Sequence, residues 1–286
     1  MLVPMKPLLD AALKGGYAVG SFNVASYEMM ESIIRTAADC ESPVIVSTSS
    51  AEARYLDPEV VVGAARALSH KYGTPIALHL DHGDSFEMAT QCIRSGYTSV
   101  MYDGSHLSLH ENIALTQQVV AAAHAVGVTV EGEIGRIQGV EDDLIVDERE
   151  ASMTDVNEAT HFAHETGIDA LAVAIGNAHG FYKSEPTLDM ARLSAIRSAT
   201  DISIVLHGGT GIPAEQIKQA VTLGIAKINV ASKIRRTFMN ALHGALAEDP
   251  NTTEVRDVMT VGREAMMAAI KESMEMLGSI GKSSKV

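Results

Sequence analysis

Thr74-Pro75-Ile76-Ala77-Leu78-His79-Leu80-Asp81-His82-Gly83 is the stretch on which the reading of the fold turns. Its apolar run predicts a buried strand. The run ends in two histidines and a carboxylate, where Gly83 opens a loop. Imidazole is the commonest metal ligand, and a carboxylate beside a metal is a natural proton carrier. A hydrogen-bonded strand end would account for this stretch alone. Two later stretches repeat the move: Val173-Ala174-Ile175-Gly176-Asn177-Ala178-His179-Gly180 and Ile204-Val205-Leu206-His207-Gly208-Gly209 run apolar and then deliver His-Gly.

Working outward, similar apolar runs occupy residues 18–24, 44–47, 99–104, 129–134, 170–177, 203–207 and 227–230. Segments with helical spacing alternate with them, at 5–15, 26–40, 57–70, 85–95, 108–126, 155–166, 188–198, 213–224 and 232–247. Ser26 is placed as an N-cap and Pro213 at the first helical position. A further helix over 253–277 follows Asp249-Pro250-Asn251, and its Met259, Met266, Met267, Met274 and Met276 read as core rather than subunit interface. Strands apolar on both faces belong to a parallel sheet. Strands alternating with helices and no linker between them predict an α/β fold, a single (β/α)8 TIM barrel over 1–286 with an extra C-terminal helix. A doubly wound open sheet is the second choice, but no GxGxxG follows the first strand. The pattern lapses over 135–154, a long connection holding the acidic run Glu141-Asp142-Asp143. The polar end, 281–286, reads as a flexible tail.

Composition narrows the function. The net charge of −14 argues against a nucleic-acid partner. Cys40 and Cys92 are the only cysteines, which offers neither a disulfide framework nor a thiolate metal site. No apolar run reaches the roughly 18 residues of a membrane span. The first residues lack a signal-peptide layout, so a cytoplasmic protein without a membrane partner is expected.

Barrel sites form at the C-terminal ends of strands. Polar residues fall there in register: Asn23, Ser49, Asp81 and His82, Asp103, Glu131 and Glu133, His179, His207, Asn229 and Ser232. Three imidazoles from three strands, His82, His179 and His207, plus an open position make the donor set of a catalytic Zn²⁺ site. His79 shares the inward face with Asp81 and reads as support. Strict alternation would send Asp81 and His82 to opposite faces, so the extended chain is expected to break at Asp81. Gly208-Gly209-Thr210-Gly211 and Asn229-Val230-Ala231-Ser232 each precede a helix and read as phosphate loops, although a tight βα turn would also explain the first.

The stretches GSFNV (20–24), HLDHG (79–83), MYDGS (101–105), VEGEIG (130–135), GVEDD (139–143), TGIDALAVAIGNAHGFYKSEP (166–186), VLHGGTGIP (205–213) and KINVAS (227–232) together resemble the class II, zinc-dependent ketose-bisphosphate aldolases over nearly the whole chain. AVAIGNAHG resembles the tagatose-bisphosphate branch, HGGTG the fructose-type relatives. The resemblance implies reversible aldol cleavage of a tagatose- or fructose-type ketose 1,6-bisphosphate to dihydroxyacetone phosphate and an aldehyde. It implies one Zn²⁺ per subunit on His82, His179 and His207, with Asp103 and Glu133 orienting the rings or offering a second metal position. It implies Asp81 as acid/base at the C4 hydroxyl and Glu141 moving the proton on the dihydroxyacetone-phosphate carbon. Gly180, Gly208, Gly209, Thr210, Asn229, Val230, Ala231 and Ser232 would hold the phosphate, beside a monovalent cation, Na⁺ or K⁺. A homodimer or homotetramer is expected. Ala231 stands where fructose-type relatives carry an acidic residue. A Schiff-base route would need a lysine in the mouth: Lys227 is placed at the wrong end of its strand, and Lys183 is a poor candidate. A metal-dependent barrel hydrolase and a sugar-phosphate sensor share the same histidines.

Overall fold

The structure, a computed structural model, describes residues 1–141, 144–147, 151–182 and 184–283, without the side chains of 140, 141, 144 and 145. Its strands are β1 (Val19–Asn23), β2 (Val44–Ser49), β3 (Ile76–Gly83), β4 (Ser99–Tyr102), β5 (Thr129–Ile134), β6 (Gln138–Glu141), β7 (Leu144–Val146), β8 (Ala170–Val173), β9 (Ala178–His179), β10 (Ser203–Leu206) and β11 (Ile225–Asn229). Its helices are α1 (Met5–Gly15), α2 (Tyr27–Asp39), α3 (Ser50–Leu56), α4 (Pro58–Tyr72), α5 (Phe86–Ser95), α6 (Leu109–His124), α7 (Val156–Thr166), α8 (Met190–Ala199), α9 (Ala214–Thr222), α10 (Ser232–Glu248) and α11 (Val255–Leu277). The strands β1, β2, β3, β4, β5, β8, β10 and β11 pair in parallel in that order and close on β1, the expected barrel. The extra C-terminal helix is α11, packed on α10 and α2. Among the described residues no helix is long and apolar enough to cross a membrane.

Helix α1 plugs the N-terminal end of the barrel. Met5, Leu8, Leu9 and Ala12 are buried against Val19, Ile45, Ala77, Ala170, Ala172, Val205 and Ala226. Four of those inward positions are alanine, which leaves room for the leucines of the plug. Outside the strands, a second cluster joins the sheet to the ring of helices, with Ile33, Ile34, Phe162, Leu193 and Met266 fully buried. Met266 and Met274 are buried and Met259, Met267 and Met276 half-buried, in keeping with the core reading.

Several sequence expectations need correction. The chain forms an additional helix, α3, directly after β2; Ser49 caps it and Glu52 returns the bond to the Ser49 amide, a full capping box. The 135–154 connection holds a β-hairpin of β6 and β7. The run 170–177 is not one strand. It leaves the barrel at Val173, and His179 lies on β9, paired in parallel with β6 outside the barrel. Pro213 is the N-cap of α9, not its first helical residue. The tail begins tied down: the amides of Gly281 and Ser283 donate to the carbonyls of Cys40 and Glu41 at 3.0 and 2.8 Å; 284–286 lie outside the described residues.

Candidate active site

The extended chain breaks at His82, one residue later than expected. His82 adopts φ +46°, in the left-handed region, and the β3–β4 register shifts between Leu80 and Gly83. This bulge swings His82 to the same side as Asp81, which strict alternation forbids. It is held by Ser50 at the start of α3, whose hydroxyl donates to the His82 carbonyl (3.1 Å) and accepts from the Asp84 amide (3.1 Å). No Cβ fits at Gly83, because it would lie 2.2 Å from the Met101 carbonyl oxygen.

His82, His179 and His207 converge. Their ring centroids lie 4.6 to 5.9 Å apart, and one nitrogen of each falls within 4.8 Å of the others. His82 Nε2 is 2.9 Å from His207 Nδ1. The other nitrogen of each ring is committed: His82 Nδ1 bonds Asp103 Oδ2 and His207 Nε2 bonds Glu131 Oε1, both at 2.8 Å. Burial opposes ionisation of both carboxyls. For Asp103 the bond and charge of His82 outweigh it; for Glu131, held at about 2, the charge of Lys227 and the His207 bond do. Ionised carboxylates only accept, so those ring nitrogens carry the hydrogens. Two lone pairs therefore face each other across 2.9 Å. The gap calls for a cation. Burial pushes His82 down, but Asp81 and Asp103 together raise it well above its ordinary value. A Zn²⁺ ion would suit the same donor set of three imidazole nitrogens, so the residues present fit the metal. Glu133, pushed up by burial and by Asp103, stands 3.8 Å from His207 Nδ1, and its Oε2 has no hydrogen-bond partner among the described residues.

Asp81 is fully buried and fixed from two sides. Asn23 Nδ2 donates to its Oδ2 at 3.0 Å, and Asn229 Nδ2 to both oxygens at 3.0 and 3.1 Å. Burial would raise its pKa, yet the charges of His82 and then Lys227 hold it well below the usual carboxylate range. The Oδ1 atoms of both asparagines are buried without a hydrogen-bond partner among the described residues. Ser49 accepts from the Glu52 amide as a helix cap.

The two glycine-marked loops are stitched together. The Gly209 amide donates to the Asn229 carbonyl (2.9 Å), and Thr210 Oγ1 accepts from the Lys233 amide (3.3 Å). Tyr182 donates from its hydroxyl to the Gly208 carbonyl (3.0 Å) and accepts from the Ala178 amide (2.9 Å), tying the His179 loop to the His207 loop. Gly180 and Gly208 both need positive φ, +83° and +65°. The first loop does not open α9 directly; it reaches across to the start of α10. There Ala231 is an N-cap without a capping side chain, Val230 and Ala231 are buried, and no acidic residue stands in the first turn.

Beside His179 a cleft of about 1150 Å³ opens between the hairpin and the 180–187 segment, lined among others by Gln138, Phe181 and Thr187. Glu141 ends β6, whose Gln138 and Gly139 line this cleft; its side chain lies outside the described part of the structure, as do Asp142, Asp143 and Lys183.

One residue of the site was misread in the sequence. Strand β11 begins at Ile225, so Lys227 sits inside the barrel rather than at the wrong end of its strand, fully buried, its Nζ 2.7 Å from Glu131 Oε2. The signal was present: Lys227 lies two residues before Asn229 and so shares its inward face.

Comparison with known proteins gives the family. The family model described as fructose-bisphosphate aldolase class-II matches residues 3–282. A fructose-bisphosphate aldolase of Geobacillus stearothermophilus is 43% identical over 287 aligned positions, 99% of each chain. Among solved structures, the YdjI aldolase of Escherichia coli K12 superposes with a TM-score of 0.87 at 32% identity, covering 99% of this chain and 100% of that one. The fructose-bisphosphate aldolase of Campylobacter jejuni shares the fold, with a TM-score of 0.83 at 21% identity over 98% of this chain and 97% of that one. The chain is a carbon–carbon lyase and belongs to the class II fructose-bisphosphate aldolase family.

Proposed function

We propose that this enzyme cleaves a ketose 1,6-bisphosphate of the tagatose or fructose type with a single zinc ion held by His82, His179 and His207. The observation that carries the reading is the 2.9 Å approach of His82 Nε2 and His207 Nδ1, each backed by a carboxylate. A zinc ion bound there supplies Lewis-acid polarisation of the substrate ketone. Asp81, ionised and oriented by Asn23 and Asn229, accepts the C4 hydroxyl proton as the C3–C4 bond breaks and the C4 aldehyde forms. The bond's electron pair stays with the dihydroxyacetone-phosphate half. Glu141, at the hairpin, returns a proton to that carbon. The Oδ1 atoms of Asn23 and Asn229, without a hydrogen-bond partner among the described residues, are acceptors for substrate hydroxyls.

The uncapped start of α10 receives the ketone's phosphate through the backbone of Asn229 to Ser232, with Gly180 and Gly208 to Thr210 closing round it and Ser49 at the rim. Helix N-termini favour anions, and Arg236, whose guanidinium stacks 3.5 Å over the Phe181 ring beside the cleft, adds positive charge, whereas Lys233 and Arg235 are paired with Glu272 and Glu52. A Na⁺ or K⁺ ion beside the phosphate belongs to this reading, as does a homo-oligomer working in the cytoplasm. Exposed Met239, Leu246, Val255 and Val261 on α10 and α11 offer apolar surface for a second subunit.

Release of dihydroxyacetone phosphate from purified tagatose and fructose 1,6-bisphosphates, with and without chelator, is the test. Cleavage abolished by chelation and restored by zinc is expected, and the larger kcat/KM names the C4 epimer. Zinc binding without cleavage of either sugar would refute the substrate assignment.

A further inference from the structure

Beneath the histidine cluster the barrel interior is polar, and its middle layer is organised round one ammonium group. Lys227 Nζ lies 2.7 Å from Glu131 Oε2, 3.4 Å from His79 Nε2 and 3.9 Å from Asp81 Oδ1. All four side chains are fully buried. His79 is anchored on the far side by Ser99 Oγ at 2.8 Å from Nδ1. His79, Asp81 and Glu131 would by themselves make a metal-holding set, and the lysine fills its centre. Glu131 has its second oxygen on His207 Nε2, 2.8 Å away. The chain Lys227–Glu131–His207 therefore runs from the barrel interior to the cluster.

We propose that Lys227 is a positioning residue of this site: its ammonium ion holds Glu131, and through Glu131 keeps the His207 ring in the one tautomer that turns the Nδ1 lone pair toward His82. The inference rests on the metal reading above and extends it one shell inward. The physical case is directional. A buried carboxylate held at one oxygen only is free to rotate and to let go of the His207 Nε2 hydrogen, after which the ring can turn or change tautomer. The ammonium on Oε2 fixes Glu131 as an acceptor on Oε1. Partners of this kind set the tautomer and the basicity of a ligating imidazole. Lys227 lies below the rings, so it acts through Glu131.

Zinc titration of the metal-stripped full-length protein tests this, using wild type, Lys227→Met, Glu131→Gln and the double variant. ¹⁵N spectra of the His207 ring supply a readout independent of activity. Lys227→Met is expected to lower zinc affinity about ten- to a hundredfold and to convert His207 from the Nε2–H form to a mixture of tautomers. The double variant is expected to bind zinc no more weakly than Glu131→Gln, because Lys227 acts through Glu131. If Lys227→Met fails to fold, with Glu131 left as a lone buried charge, the comparison of Glu131→Gln with the double variant carries the test. Wild-type zinc affinity and a single tautomer in Lys227→Met would overturn the proposal, and so would a further loss in the double variant. A wild-type protein that binds no zinc would overturn the metal reading and this inference with it; zinc bound equally by wild type and Lys227→Met would overturn the inference alone.

Discussion

His82 Nε2 faces His207 Nδ1 across 2.9 Å, while the opposite nitrogen of each ring is bonded to its own carboxylate, Asp103 or Glu131. The pairing fixes both tautomers and leaves a gap that only a cation satisfies. Asp81 lies next in sequence and is brought to the same side by the bulge at His82.

Asp81→Asn keeps the shape of the side chain and removes its ability to take a proton. Cleavage should fall by roughly 10²- to 10⁴-fold, the usual size of a general acid–base contribution. Zinc content, measured by atomic absorption, should be unchanged. Full activity in this variant would remove Asp81 from the mechanism.

His79 gives the fold a pH dependence. Burial, with the charge of Lys227 next, pushes its imidazole down to about 3. Between the unfolded value near 6.5 and that value the unfolded chain binds a proton that the folded chain does not. Stability attributable to His79 therefore falls as pH drops below about 6.5, by about 1.4 kcal/mol per pH unit, and stops falling near 3. His207, also lowered by burial, adds in the same direction, and His82, raised by Asp81 and Asp103, works against it, so the His79 contribution is read from the variant comparison. Urea midpoints at pH 7 and pH 5 should show a smaller drop for His79→Gln than for wild type; equal drops would count against a buried neutral His79.

Gly208 admits no side chain. Its φ is +65°, and a Cβ would lie 2.0 Å from the Ala178 carbonyl oxygen, beside the His179 strand. Gly208→Ala should lower stability by more than about 1 kcal/mol, the scale for alanine forced to positive φ. KM for a phosphorylated ketose should rise as well. An unchanged Tm would show that the two loops separate easily.

Ser232→Asp places a negative charge in the first turn of α10, where no acidic residue now stands. Such a charge suits the helix dipole but repels a phosphate at the same place. The KM for the bisphosphate should rise at least tenfold while Tm holds or increases. An unaltered KM would move the phosphate elsewhere.

The barrel was legible because its strands are apolar on both faces and the polar residues recur at their C-terminal ends. Asn23, Asp81, His207 and Asn229 could be placed from that register alone. His82 could not be, because a bulge is a two-strand property and its positive φ leaves no mark in composition. Nor could β9: Gly176 and Asn177 interrupt an apolar run only briefly, and pairing with β6 decides where His179 lies. Other features were legible and passed over. Ser49 with Glu52 is a capping-box pattern that announces α3. Lys227 two residues before Asn229 follows the same alternation that placed His79 beneath Asp81. A charged residue on an apolar strand is easily taken for a strand end, and here it is the core of the site.

The most direct test of the account is anomalous diffraction at the zinc edge from crystals of the zinc-loaded protein. One peak is predicted, about 2.0–2.1 Å from His82 Nε2, from His207 Nδ1 and from a ring nitrogen of His179. No peak there, or a peak within the His79–Asp81–Glu131 cage that Lys227 fills, would contradict it.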